Sequence, residues 1–266
     1  MEQKNKRIVI KVGSAVLRED DVLAVTRLNN LVDLIAKLKK EKNNEVILVS
    51  SGAVAAGNTK LNLDRKLILN RQALAAIGQP LLMKFYKKRF REHDLKCAQM
   101  LLVEEDFDSR RRSKNARGVM EILLENDIIP ILNENDVIAN QELLIGDNDQ
   151  LAARAAYFFG ADLLVILSDV DGLYDSNPHE NKDAKMRKIV DKIEEYELEM
   201  KHTPNSEFAT GGIVTKLKAA NYVMKKGIPM YLSSGFDLTN AWDFLVDDNH
   251  NSGSLFRANI VDNYFL

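Results

Sequence analysis

The stretch Thr210-Gly211-Gly212-Ile213-Val214-Thr215-Lys216 sets a glycine pair directly ahead of a helical pattern, with Leu217, Ala220 and Met224 on one face and Gly227 and Pro229 as a stop. Glycines there let the backbone approach a ligand closely, and the free N–H groups of a helix start favour an anion. Lys216 and Lys218 fall in the first turn, the wrong sign for that end of a helix, and a bound phosphate would reverse the cost. The spacing is not that of a G-x-x-x-x-G-K-[ST] phosphate loop, because the lysine follows threonine. Taken alone, the segment reads equally well as a glycine-rich turn before a surface helix.

Five other stretches could do chemistry. Lys11-Val12-Gly13-Ser14 ends an apolar run and can offer an ammonium and backbone N–H groups to one anion, although lysines at strand ends often just reach solvent. Ser50-Ser51-Gly52-Ala53 continues in small residues to Gly57, a surface on which a ligand could lie against the backbone; the alternative is a tight turn with Ser51 as helix cap. Asn133-Glu134-Asn135-Asp136 could hold an ammonium group with Asp136 as its countercharge, or be an ordinary polar turn. In Gly146-Asp147-Asn148-Asp149, capping with Gln150 accounts for Asp147 but not for Asp149, which could orient two ammonium groups or a magnesium ion. Ser168-Asp169-Val170-Asp171-Gly172-Leu173-Tyr174 combines a hydroxyl, carboxylates and an aromatic, a set suited to a ribose and base or to a plain turn.

The elements that must position these loops alternate. Strand-length apolar runs fall at 7–12, 45–50, 96–103, 128–133, 162–168 and 228–233, with helical patterns at 26–42, 79–93, 109–126 and 148–160. That order predicts an open, mostly parallel α/β sheet with ligands beyond the carboxyl ends of its strands. Ala75–Pro80 reads as a junction between two helices, serving close packing or a subunit contact, and Arg110–Arg112 as a solvated helix start. Residues 179–209 are charged and irregular, with one helical patch near 193–200, and read as an excursion or lid.

Composition narrows the classes. The 266 residues carry 37 Lys and Arg against 39 Asp and Glu, a net −2 that draws the chain toward neither nucleic acid nor an anionic membrane. One cysteine, Cys97, excludes an internal disulfide, and four scattered histidines lack any zinc-ligand spacing. The apolar residues after the basic N-terminus are too few for a signal peptide or a membrane span, so a cytoplasmic protein is expected.

Taken together, KVGS, SSGAVAAG, NEND, GDND, SDVDGLY and ATGGIVTK, in this order from Lys11 to Leu217, resemble the amino acid kinase family, and within it the members that phosphorylate glutamate. The resemblance implies a three-layer αβα sandwich with a mostly parallel central sheet, residues 1–266 forming one kinase domain. It implies transfer of the γ-phosphoryl of ATP, carried with Mg2+, to the side-chain carboxylate of L-glutamate, the first step of proline synthesis. Lys11 and Lys216 would contact the transferring phosphoryl and Asp149 would hold them. Ser51, Asp136 and Asn148, with Asp147 nearby, would bind glutamate; Lys11, Ser168, Asp169 and Thr210 to Lys216 would bind ATP. Ser168 stands where the family often has threonine, which keeps the hydroxyl. Many relatives continue into a C-terminal module resembling RNA-modification domains, and a short form without it is expected here. A homo-oligomer, feedback inhibition by proline and hand-over of product to glutamate-5-semialdehyde dehydrogenase are further implications.

The chemistry agrees. A side-chain carboxylate is already ionised at neutral pH, so no general base is needed, and the task is to place two mutually repelling anions and neutralise the phosphoryl charge. The alternatives are a kinase of the same fold acting on acetylglutamate, aspartate or carbamate, and a non-catalytic amino-acid sensor. A dinucleotide-binding dehydrogenase is disfavoured, because no G-x-G-x-x-G follows the first strand.

Overall fold

Ile8, Ile10 and Val12 pack into one hydrophobic core and Val9 into another, so the first apolar run is buried on both faces, as a central parallel strand must be. The computed structural model describes residues 5–139, 148–178, 180–199 and 212–258. Its strands are β1 (Arg7–Val12), β2 (Arg18–Glu19), β3 (Val22–Leu23), β4 (Glu45–Ser50), β5 (Lys96–Leu102), β6 (Ile128–Glu134), β7 (Leu163–Ser168), β8 (Ile189–Val190), β9 (Met230–Ser234) and β10 (Ser254–Phe256). The helices are α1 (Val25–Glu41), α2 (Ala53–Asn58), α3 (Ile68–Glu92), α4 (Glu104–Asp108), α5 (Arg110–Glu125), α6 (Asp149–Phe158), α7 (Glu195–Glu199), α8 (Ile213–Met224) and α9 (Thr239–Leu245).

Among the described residues the main sheet has the order β5-β6-β4-β1-β7-β9-β10-β8, parallel except where β10 runs against β9. On one face α1, α2, α3 and α9 cover the core containing Ile10, Leu34 and Tyr86; on the other α5, α6 and α8 cover that of Val9, Ile166 and Leu217. This is the expected three-layer αβα sandwich. The register pairs Val12 with Ser50 and with Leu167, which brings the ends of β1, β4 and β7 to one edge of the sheet. Glycine and polar loops leave from that edge. All six predicted strands form, and the short β2, β3, β8 and β10 are additions.

The junction expected at Ala75–Pro80 is instead the middle of one helix, α3. Pro80 removes one backbone donor there, but its ring and Ala76, whose carbonyl goes unmatched, lie on the exposed side where water can replace the bond. The buried side carries the packing. A Cβ added at Gly78 would sit 1.7 Å from the carbonyl oxygen of Ala53, and one at Gly57 would sit 2.0 Å from that of Leu74. The two glycines thus let α2 lie against α3 at backbone contact. That contact fixes the small-residue loop after β4, so the run serves helix packing within the chain.

Candidate active site

Lys11, near the end of β1, and Lys216, in the first turns of α8, reach the same carboxylate from opposite sides. Lys11 Nζ is 2.5 Å from Asp149 Oδ1 and Lys216 Nζ is 3.2 Å from Oδ2; the three side chains are 1%, 2% and 0% exposed. Thr215 Oγ1 also donates to Asp149 Oδ2, at 3.0 Å. Asp149 begins α6, where the helix N-terminus favours its negative charge. A carboxylate so placed needs no fluctuation to keep two ammonium groups at fixed spacing. The backbone of Gly13 passes close by, its N–H donating to Leu167 O at 3.0 Å.

Toward α8, Ser168 is buried at the end of β7 and donates to Asp169 Oδ1 at 2.7 Å. Gly212 is the capping residue of α8 and brings no side chain of its own to cap it. The lysine of this turn folds inward to Asp149, a burial that the sequence did not indicate. Thr210, Gly211 and Asp147 lie outside the described residues.

On the other side of Asp149, a cavity of about 440 Å³ is lined by residues that include Ser51, Gly52, Arg71, Glu134, Asp136 and Asn148. Ser51 does not cap α2; the capping position is Gly52, whose φ of 104° is a left-handed conformation suited to glycine. Asn148 Nδ2 donates to Ser50 O at 3.2 Å, Ser51 Oγ at 3.1 Å and Asn133 Oδ1 at 2.9 Å, which ties the start of α6 to β4 and β6. Burial pushes the Asp136 carboxyl up to about 6 against the opposing pull of Arg71. Burial and the repulsion of Asp136 push Glu134 up to about 7. Two acids that resist ionisation in an open cavity gain from a cation between them.

Arg71, Arg18 and Glu134 line this cavity without having been singled out, although Glu134 stands inside the quoted NEND loop. Arg71 belongs to the first turns of α3, and only the folding of α3 across β6 brings it here; nothing in its local sequence marks it. Among the described residues no group of three or more His, Cys, Asp or Glu is placed to cage a metal ion, and no helix is long and apolar enough to cross a membrane.

A polar cavity, the N-terminus of α8 and two lysines on one buried aspartate thus lie together, an arrangement with the charge to hold anionic groups. The sequence profile of the amino acid kinase family matches residues 6–234. A glutamate 5-kinase of Wolinella succinogenes is 52% identical over 255 residues, covering 94% of this chain and 97% of that protein. One of Leishmania donovani is 49% identical over 255 residues, 96% of each chain. Among solved structures, carbamate kinase from Giardia lamblia bound to AMP-PNP has a TM-score of 0.65 at 15% identity, covers 97% of this chain and 100% of that one, and so shares the fold.

Proposed function

The chain belongs to the amino acid kinase family, and from that premise we propose that it transfers the γ-phosphoryl of ATP to the side-chain carboxylate of L-glutamate, giving L-glutamyl 5-phosphate and ADP. The observation that carries the chemistry is the convergence of Lys11 and Lys216 on Asp149 between the acceptor cavity and the start of α8.

In this mechanism Ser51, Asp136 and Asn148, with Asp147 nearby, hold glutamate. Asp136 supplies the countercharge for its ammonium, and Arg71 a cation for the α-carboxylate. The phosphates of ATP lie along Gly211 to Lys216, with Thr210, Ser168 and Asp169 toward the nucleoside. An oxygen of the ionised side-chain carboxylate attacks the γ-phosphorus while the bond to the β,γ-bridging oxygen breaks, and no proton moves in the step. Lys11 and Lys216 face the charge that spreads over the phosphoryl oxygens, and Asp149 keeps them apart and aimed. The phosphates of the nucleotide would carry magnesium, which would supply further charge neutralisation.

The same proposal extends to a cytoplasmic, homo-oligomeric enzyme of proline synthesis, inhibited by proline at the glutamate site and passing its product to glutamate-5-semialdehyde dehydrogenase. Its test is turnover of glutamate labelled with 18O in the side-chain carboxylate. The acyl phosphate cyclises onto its own amine and expels phosphate, which should carry one labelled oxygen; unlabelled phosphate would mean hydrolysis of ATP instead.

A further inference from the structure

A chain of side-chain amides runs from the acceptor cavity to the sheet edge. Asn148 Nδ2 donates to Asn133 Oδ1 at 2.9 Å, Asn133 Nδ2 to Gln79 Oε1 at 2.9 Å, and Gln79 Nε2 to Gln99 Oε1 at 3.2 Å. Asn148, Asn133 and Gln79 are all buried, while Gln99 sits exposed on β5.

An amide can turn end for end, but this chain is pinned by backbone groups that cannot exchange roles. The N–H of Glu134 donates to Asn133 Oδ1 at 2.9 Å, so that atom must be the oxygen. The carbonyl of Ser50 accepts from Asn148 Nδ2, so that atom must be the nitrogen. Each amide therefore donates to the next in the direction of β5. Asn148 lines the cavity, and its Oδ1 accepts no hydrogen bond among the described residues.

We infer that Gln79, one amide removed from the cavity through Asn133, is a positioning residue that holds Asn133 and Asn148 so that the acceptor oxygen of Asn148, in the cavity that Asp136 also lines, selects a ligand bearing an ammonium group. The inference rests on the function proposed above and deepens it: the chain selects an amino dicarboxylate over a plain dicarboxylate. Without Oε1 of Gln79, the buried Nδ2 of Asn133 has no acceptor there. Left without that acceptor, Asn133 is held only by the Glu134 N–H and Asn148, and its grip on Asn148 loosens.

Calorimetric titration of the wild type, Gln79→Leu and Gln79→Glu with L-glutamate and with glutarate, which lacks the amine, tests this. Gln79→Leu should weaken glutamate about tenfold and leave glutarate unchanged. Gln79→Glu keeps an acceptor for Asn133, and the exposed Gln99 can turn to donate to it, so preference for glutamate should return. Equal weakening of both ligands, no change in Gln79→Leu, or no recovery in Gln79→Glu would overturn the inference. Should Gln79→Leu not fold, Gln79→Glu decides alone: retained preference supports the inference and lost preference overturns it. Absence of glutamate turnover in the wild type would instead refute the function, and the titrations would still decide the role of Gln79.

Discussion

Nζ of Lys11 lies 2.5 Å from Oδ1 of Asp149, and both side chains are sealed from solvent. The pair joins β1 to the first turn of α6, and Lys216 from α8 closes on the other carboxylate oxygen. Three elements far apart in sequence thus share one charge centre. Burial makes that centre stiff, because none of these groups can turn to water without breaking a pair that water cannot easily replace.

Asp149→Asn keeps the shape and removes the charge. It should lower stability by about 3 kcal/mol, since breaking a buried pair leaves its partner uncompensated. Urea unfolding at neutral pH checks this, and a change below about 1 kcal/mol would place the lysines in solvent contact that their burial does not allow.

Lys216→Ala should lower kcat at least about 100-fold while the KM for glutamate changes little, because the ammonium acts on charge that develops only during transfer. Steady-state kinetics with each substrate varied separates the two effects. Near-normal turnover would remove Lys216 from the mechanism.

The carboxyls of Asp136 and Glu134, raised by burial to about 6 and about 7, give the site a pH dependence. Both bind protons more tightly folded than unfolded, so their contribution to stability is complete below the ordinary carboxylate range of about 4 and is lost as pH rises through about 7. Binding has the opposite trend, because an ammonium ligand needs the ionised Asp136. The KM for glutamate should fall between pH 5 and pH 7 and then level off, with no such trend for ATP. Asp136→Asn should raise the KM and flatten its profile.

Gly78→Ala should destabilise the fold by about 1–3 kcal/mol, since the added methyl meets the Ala53 carbonyl and must push α2 off α3. Thermal unfolding measures the loss. A milder effect on glutamate KM should accompany it, because α2 carries the floor of the cavity.

The six main strands and Lys11 were legible in the sequence for a simple reason, whereas the joint role expected of Lys11, Asp149 and Lys216 came from the family resemblance. A parallel strand buried on both faces is a continuous apolar run, and a polar residue at its end has little structural business there unless it faces a ligand. Lys11, Ser168 and the NEND loop all follow this rule. α3 was not legible as one helix, because Gly78 and Pro80 carry the local signature of a break. What overrides it is tertiary: Gly78 is needed for backbone contact with α2, and Pro80 faces water. Gln79 and Arg71 were hidden for the same cause, since their neighbours Asn133 and Asp136 come from β6 and the loop after it, and only the folding of α3 brings them together. The inward turn of Lys216 likewise depends on Asp149, 67 positions away.

The most direct measurement is trapping of the acyl phosphate with hydroxylamine in the presence of ATP and Mg2+, offering L-glutamate, acetylglutamate, aspartate, carbamate or no acceptor. The account predicts hydroxamate with L-glutamate and none above background with the others. Hydroxamate with another acceptor in place of glutamate, or none at all from folded protein that binds ATP, would contradict it.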